Sequence, residues 1–234
     1  MNPRIHGTAL LAAALGLAAC GPAPQPATTP DDAAPGPAPA GAQAEAQVRS
    51  QFRCGDLLVG ALFDNAAQTL TLSLSGRRLQ LPQAISASGA RYADTSGNEF
   101  WNKGSTAMFT LDGTLQPECV ETDEVSAWDQ ARDRGVVFRG LGTEPGWQVE
   151  VQGGDAPALH AQLDYGERRL DVVAARPLAD EAGYAGTTAD GAVVTLRIAK
   201  GACSDGMSDQ TYPASVQLQV DDRHYQGCGA WLRD

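Results

Sequence analysis

The chain has 234 residues, 17 of them basic and 28 acidic, and a net charge of −11. That balance excludes nucleic acid and anionic lipid surfaces as electrostatic partners, because both attract cationic proteins. The opening MNPRIHGTALLAAALGLAA, residues 1–19, carries one cation, Arg4, then an apolar run too short to span a bilayer, then small residues. This is the layout of a secretory signal. Its removal with Arg4 takes the charge from −11 to −12. Residues 20–48, including GPAPQPATTPDDAAPGPAPAGAQAEAQ, are dominated by Pro, Ala and Gly. A segment with so few large apolar groups cannot offset its ordering entropy, so a disordered tether is expected, with no recognition role assigned to it.

Roughly 185 residues remain, enough for one large or two small domains. Their hydrophobic pattern has a period of two. In TLTLSL, Leu70, Leu72 and Leu74 alternate with Thr71 and Ser73; in AMFTL, Ala107, Phe109 and Leu111 alternate with Met108 and Thr110. These are half-buried strands. WQVEV, ALHAQLDY, AVVTLRI and SVQLQV repeat the pattern later, separated by turn signals such as GG, YG, ADG and DD. The only helical period lies in the short VSAWDQARD. An all-β fold of small barrels or sandwiches is expected. The division is residues 49–122, a polar linker over 123–135 and a second, mostly β domain over 136–234.

Besides Cys20 there are four cysteines, Cys54, Cys119, Cys203 and Cys228, and an even count in an exported protein reads as disulfides. Three pairings are open. Cys54 with Cys119 and Cys203 with Cys228 is favoured, because each bond then closes its own domain and neither crosses ETDEVSAWDQARDRG. Zinc is disfavoured, since there is no CxxC and only His160 and His224 remain after the signal. Catalysis finds little support. There is no GxSxG around Ser88, no HExxH and no GxxxxGK, and the acids Glu118 and Glu121 sit in a chain that is acidic throughout. No enzymatic activity and no cofactor are expected.

The signal ends in LAAC followed by Gly21, which resembles the lipobox of bacterial lipoproteins. The resemblance implies cleavage before Cys20, acylation of that cysteine and, since Gly21 is not aspartate, anchoring in the outer membrane of a Gram-negative cell, facing the periplasm. Several acyl chains together hold a protein firmly.

FRC at 52–54, SASGARY at 86–92, FWNKG at 100–104 and the later Cys119 resemble, in order and spacing, the membrane-bound inhibitors of c-type lysozyme. The resemblance covers residues 50–122. It implies a small antiparallel β-barrel tied by one disulfide, c-type lysozyme as partner, and Ser88 and Lys103 as the residues that enter the lysozyme cleft. Gly89 would permit the tight loop, and Tyr92 would support it from the surface. Phe100 and Trp101 are adjacent in a strand and point to opposite faces, so one can anchor the barrel while the other packs beside the loop. The plainer alternatives are a solvated turn lysine at 103 and an ordinary turn at Ser88 and Gly89. A competing function is an envelope module that binds a glycan or another protein without inhibiting anything.

In the second half, GTEPGW at 142–147, CSDGMSDQTYP at 203–213 and GC at 227–228 resemble an uncharacterised domain of bacterial envelope lipoproteins. Asp205 and Asp209 could offer oxygen ligands to a cation, although their spacing is no EF-hand loop and an acidic, disulfide-tethered surface loop is the simpler reading. Glu144 and Trp147 fit the start of a strand with a buried indole.

Overall fold

The computed structural model of the chain describes residues 46–207 and 210–233. Cys20, the signal, most of the tether and Asp209 lie outside the described residues. Two antiparallel nine-stranded sheets follow one another in the chain. No described helix is long and apolar enough to cross a membrane.

The first sheet contains β1 (Gln47–Cys54), β2 (Leu57–Asp64), β3 (Thr69–Leu74), β4 (Arg77–Ala84), β5 (Ala90–Ala93), β6 (Glu99–Lys103), β7 (Thr106–Leu111), β8 (Thr114–Leu115) and β9 (Cys119–Glu121). β1 to β6 pair in sequence; β6 also pairs with β7, and β9 joins β7 back to β1, closing an eight-stranded barrel from which β8 hangs on β7. Alternation dictates the interior. Leu70, Leu72 and Leu74 of β3 are buried while Thr71 and Ser73 lie between them on the outer wall, and Leu72 faces Leu79 across the β3–β4 register. Phe100 fills the centre, its ring 5.2 Å from Phe52 and 5.9 Å from Phe109 in edge-on geometry. Closure depends on the three residues of β9. Cys119 stands directly opposite Cys54 in the β1–β9 register, and the two are disulfide-bonded.

The chain then forms helix α1 (Ala127–Asp133), inside the segment expected as a linker. Ser126 caps it by accepting a hydrogen bond from the Asp129 N–H at 3.1 Å, leaving the first turn with one fewer orphan donor. Trp128 and Ala131 pack in a small core with Val136, Tyr212, Cys228, Ala230 and Leu232. Asp129, paired with Arg132, faces the barrel wall at Gly60. A side chain at Gly60 would lie 2.9 Å from the Asp129 carboxylate and 2.5 Å from the Ser73 hydroxyl, so the bare backbone makes room for the helix. In the β3–β4 turn, a Cβ on Gly76 would lie 2.3 Å from that of Ala230, and Ser75 Oγ is 2.7 Å from Gln210 Oε1.

The second sheet contains β10 (Val136–Thr143), β11 (Gly146–Gln152), β12 (Leu159–Leu163), β13 (Arg168–Val172), β14 (Arg176–Pro177), β15 (Gly183–Thr187), β16 (Val193–Ser204), β17 (Thr211–Val220) and β18 (Arg223–Trp231). Its order is β13-β12-β11-β10-β18-β17-β16-β15-β14. The sheet curls until its two ends meet. A Cβ on Gly186 of β15 would lie 2.4 Å from Val172 of β13, with Val149, Leu163, Leu196 and Leu218 enclosed between. Cys203 and Cys228 are disulfide-bonded across β17. GTEPGW forms the β10–β11 hairpin, with Gly142 opposite Trp147 and the indole donating to the Gln226 carbonyl at 3.1 Å. No group of three or more His, Cys, Asp or Glu suited to a metal occurs among the described residues.

Candidate partner-binding site

Two turns meet at one end of the barrel. The pairing of Ala84 with Arg91 starts the β4–β5 connection, and that of Ala90 with Asn102 brings residues 88 and 89 alongside Lys103, where β6 turns into β7. Ser88, Gly89 and Lys103 are all exposed. Ser86 Oγ donates to the Gly89 carbonyl at 3.0 Å, tying the loop across its own base. On the other strand Asn102 Nδ2 donates to the Gly104 carbonyl at 3.0 Å, and the Glu121 N–H donates to the Ser105 carbonyl at 2.8 Å. The Lys103 turn is therefore fastened to β9, the strand held by the Cys54–Cys119 bond.

Gly89 is required twice over. Its φ of +70° is in the left-handed region, and a Cβ there would lie 2.3 Å from the Asn102 carbonyl oxygen and 2.9 Å from Cγ of Lys103. Trp101, half-buried on the outer face of β6, lies between the two turns. Its indole N–H donates to the Ser88 carbonyl at 2.9 Å, and Lys103 Nζ lies 4.0 Å from the centroid of its ring. Arg91 and Met108 flank Trp101 on the neighbouring strands. Arg91 is ion-paired with Glu99 at 2.6 Å, whereas no ion pair of Lys103 occurs among the described residues. The site thus offers, side by side, one exposed hydroxyl and one ammonium with no ion pair among the described residues.

Tyr92 is a correction. Expected at the surface, it is only 4% exposed, with its ring 5.7 Å from that of Phe63. The strand parity decides this: Arg91 faces out to reach Glu99, so Tyr92 must face in. Burial pushes its phenol pKa up. Phe100 and Trp101 occupy opposite faces, with Phe100 wholly buried. Sequence reasoning missed Asn98, buried at the other end of the same hairpin. It donates to Asp94 Oδ2 at 2.7 Å and accepts the Asp112 N–H at 2.8 Å. DTSGN reads as a generic turn, and only the long-range acceptance from Asp112 distinguishes it.

Residues 52–116, which include both turns, match the family model of membrane-bound lysozyme inhibitors of c-type lysozyme. The barrel is similar in sequence to that family. A curated protein of Yersinia enterocolitica serotype O:8 / biotype 1B, the membrane-bound lysozyme inhibitor of C-type lysozyme, is 39% identical over 61 residues, which is 26% of this chain and 51% of that protein. The chain thus spans about half the length of the curated relative it matches. No solved structure matches.

Proposed function

We propose that this protein is an envelope lipoprotein whose barrel inhibits c-type lysozyme by presenting Ser88 and Lys103 to the active-site cleft. The observation that carries the reading is the convergence, within the family match, of an exposed hydroxyl and an ammonium without an ion-pair partner among the described residues. A lysozyme needs one carboxylic acid held protonated as proton donor and a second held ionised. An ammonium placed between them gains charge-assisted hydrogen bonds and favours ionisation of the acid, lowering its pKa. The inhibitor thereby occupies the sugar site and withdraws the catalytic proton together. Ser88 can donate or accept in the same cleft. The net charge of −11 steers the protein toward a basic partner. In this reading it is a binding protein, with no catalysis and no cofactor.

Inhibition of hen-type lysozyme by purified residues 45–234 tests the proposal. Lys103→Ala should cost about 2 kcal/mol or more, roughly thirtyfold, and Ser88→Ala less. Folded variants with unchanged inhibition constants would mean that these two turns are not the inhibitory element, and a folded parent protein that does not inhibit would leave a glycan- or protein-binding module as the better reading. Acylation of Cys20 and anchoring at the periplasmic face of the outer membrane belong to the same proposal, supported by LAAC at the end of the signal. A Cys20→Ala protein that is still processed normally and fractionates with outer membrane would refute that part.

A further inference from the structure

Residues 88 and 103 lie on separate turns, and each would ordinarily sample many conformations. A lysine carries four side-chain torsions, and a Ser-Gly loop has a permissive backbone. Ordering them at the moment of binding opposes association. The free protein already orders both through one side chain. The edge of the Trp101 indole holds the Ser88 carbonyl at 2.9 Å, and its face lies 4.0 Å beneath Lys103 Nζ. The bare α-carbon of Gly89 lies against the stem of Lys103, where a methyl group would come within 2.9 Å of Cγ. Trp101 and Lys103 are two residues apart on β6 and share its outer face, so the stacking needs no backbone distortion. Arg91 is committed to Glu99 and does not compete for the ring as a free cation.

We propose that Trp101 is the positioning residue of the inhibitory site: its N–H sets the Ser88 loop and its ring sets the Lys103 ammonium before lysozyme arrives. This rests on the inhibitory reading of Ser88 and Lys103. The two halves of the indole separate chemically. Trp101→Phe keeps a ring face and removes the donor; Trp101→Leu removes both. A neutral hydrogen bond corresponds to roughly a three- to tenfold change in an equilibrium, and an exposed cation–π contact to about two- to fivefold.

The experiment combines proton NMR of the free full chain with lysozyme titration of the same proteins. In the parent protein the Lys103 ε-methylene protons should be shifted upfield by the ring current. Trp101→Phe should retain part of that shift, speed amide exchange over residues 86–90 and weaken inhibition about three- to tenfold. Trp101→Leu should abolish the shift and weaken inhibition further. With Lys103→Ala already present, Trp101→Leu should cost only the smaller factor that belongs to the Ser88 loop. Lys103 ε-protons at unshifted positions in the parent protein would overturn the proposal. So would a Trp101→Leu penalty equal in the presence and absence of Lys103, since a residue that touches lysozyme itself or merely stabilises the barrel acts additively. A Lys103→Ala protein that inhibits normally is a different result and overturns the inhibitory reading itself.

Discussion

The bond between Cys54 and Cys119 should be worth more to this protein than the bond between Cys203 and Cys228, and its loss should be felt at Lys103. The first spans 65 residues and the second 25. By loop entropy these separations correspond to about 4.3 and about 3.5 kcal/mol at 25 °C. The difference grows for a structural reason. β9 has three residues and is the only strand between β7 and β1, so the bond pins the narrowest link in the closed ring, whereas Cys203 and Cys228 lie on strands of 12 and nine residues that are paired through β17. Removal of two buried sulfurs from the barrel core adds a cavity term. A barrel of about 75 residues rarely has more than 3 to 5 kcal/mol to lose. Hydrogen exchange resolved by peptide separates the two bodies: Cys54→Ala with Cys119→Ala should lower protection across β1, β7 and β9 by about three orders of magnitude, following the 4 kcal/mol. The Ser105 carbonyl loses its anchored partner on β9, so exchange in the 103–106 turn should rise and inhibition weaken in parallel. Equal or smaller losses than for Cys203→Ala with Cys228→Ala, or losses spread evenly over both sheets, would refute the argument.

Two further outcomes follow. Residues 45–125 alone should inhibit lysozyme about as well as residues 45–234 while unfolding at a lower temperature, because the barrel core is drawn wholly from residues 52–119 but its wall at Gly60 and its turn at Gly76 lose their cover; a folded but inert fragment would place essential contacts in the second sheet. Asp94 accepts hydrogen bonds from the Asn98 side chain first, then from the Asn98 and Ser96 backbone, which holds its carboxyl pKa below the ordinary aspartate range. A lowered folded-state pKa gives stability that is present above the unfolded value, near pH 4, and is lost as pH falls through the folded value. The Tm of the parent protein should therefore exceed that of Asp94→Asn at neutral pH and converge toward it below about pH 4, and a gap unchanged at pH 2 would contradict the assignment.

What was legible in the sequence was legible through period. TLTLSL and SVQLQV alternate in the structure as they do on paper, because a sheet with one dry face sorts its residues two by two. The short helix was equally visible in VSAWDQARD, with Ser126 ahead of it. Tyr92 was not, since SASGARY does not show where the strand begins, and a shift of one residue sends the phenol to the other face. The double role of Trp101 was out of reach for a similar reason: it depends on the β5–β6 register and on the positive φ of Gly89, neither of which is written in FWNKG. Gly60 in LLVGALFD reads as a weak point in a strand. Its use as a seat for Asp129, 69 residues away, appears only in three dimensions.

The arrangement of turns puts the described contacts of the second sheet with the barrel away from the candidate site. In an antiparallel barrel successive hairpin turns alternate between ends. The connections at residues 75–76 and 94–98 therefore share one end, and those at 85–89 and 104–105 share the other. The second sheet approaches the first of these ends, where Gly76 meets Trp128 and Ala230 and Ser75 meets Gln210, and α1 covers the side wall at Gly60. Both approaches use glycine on the barrel side, where a Cβ would collide with the covering residues. Arg53 adds an ion pair to Glu124 just before the helix, exposed on both partners and worth little by itself. The Ser88 and Lys103 turns lie at the opposite end from these contacts, stiffened by Trp101 on the outer face of β6 and by the Ser105–Glu121 hydrogen bond. Two short turns at one rim, on a wall whose own support among the described residues comes from the far side, suit insertion into the cleft of the proposed partner.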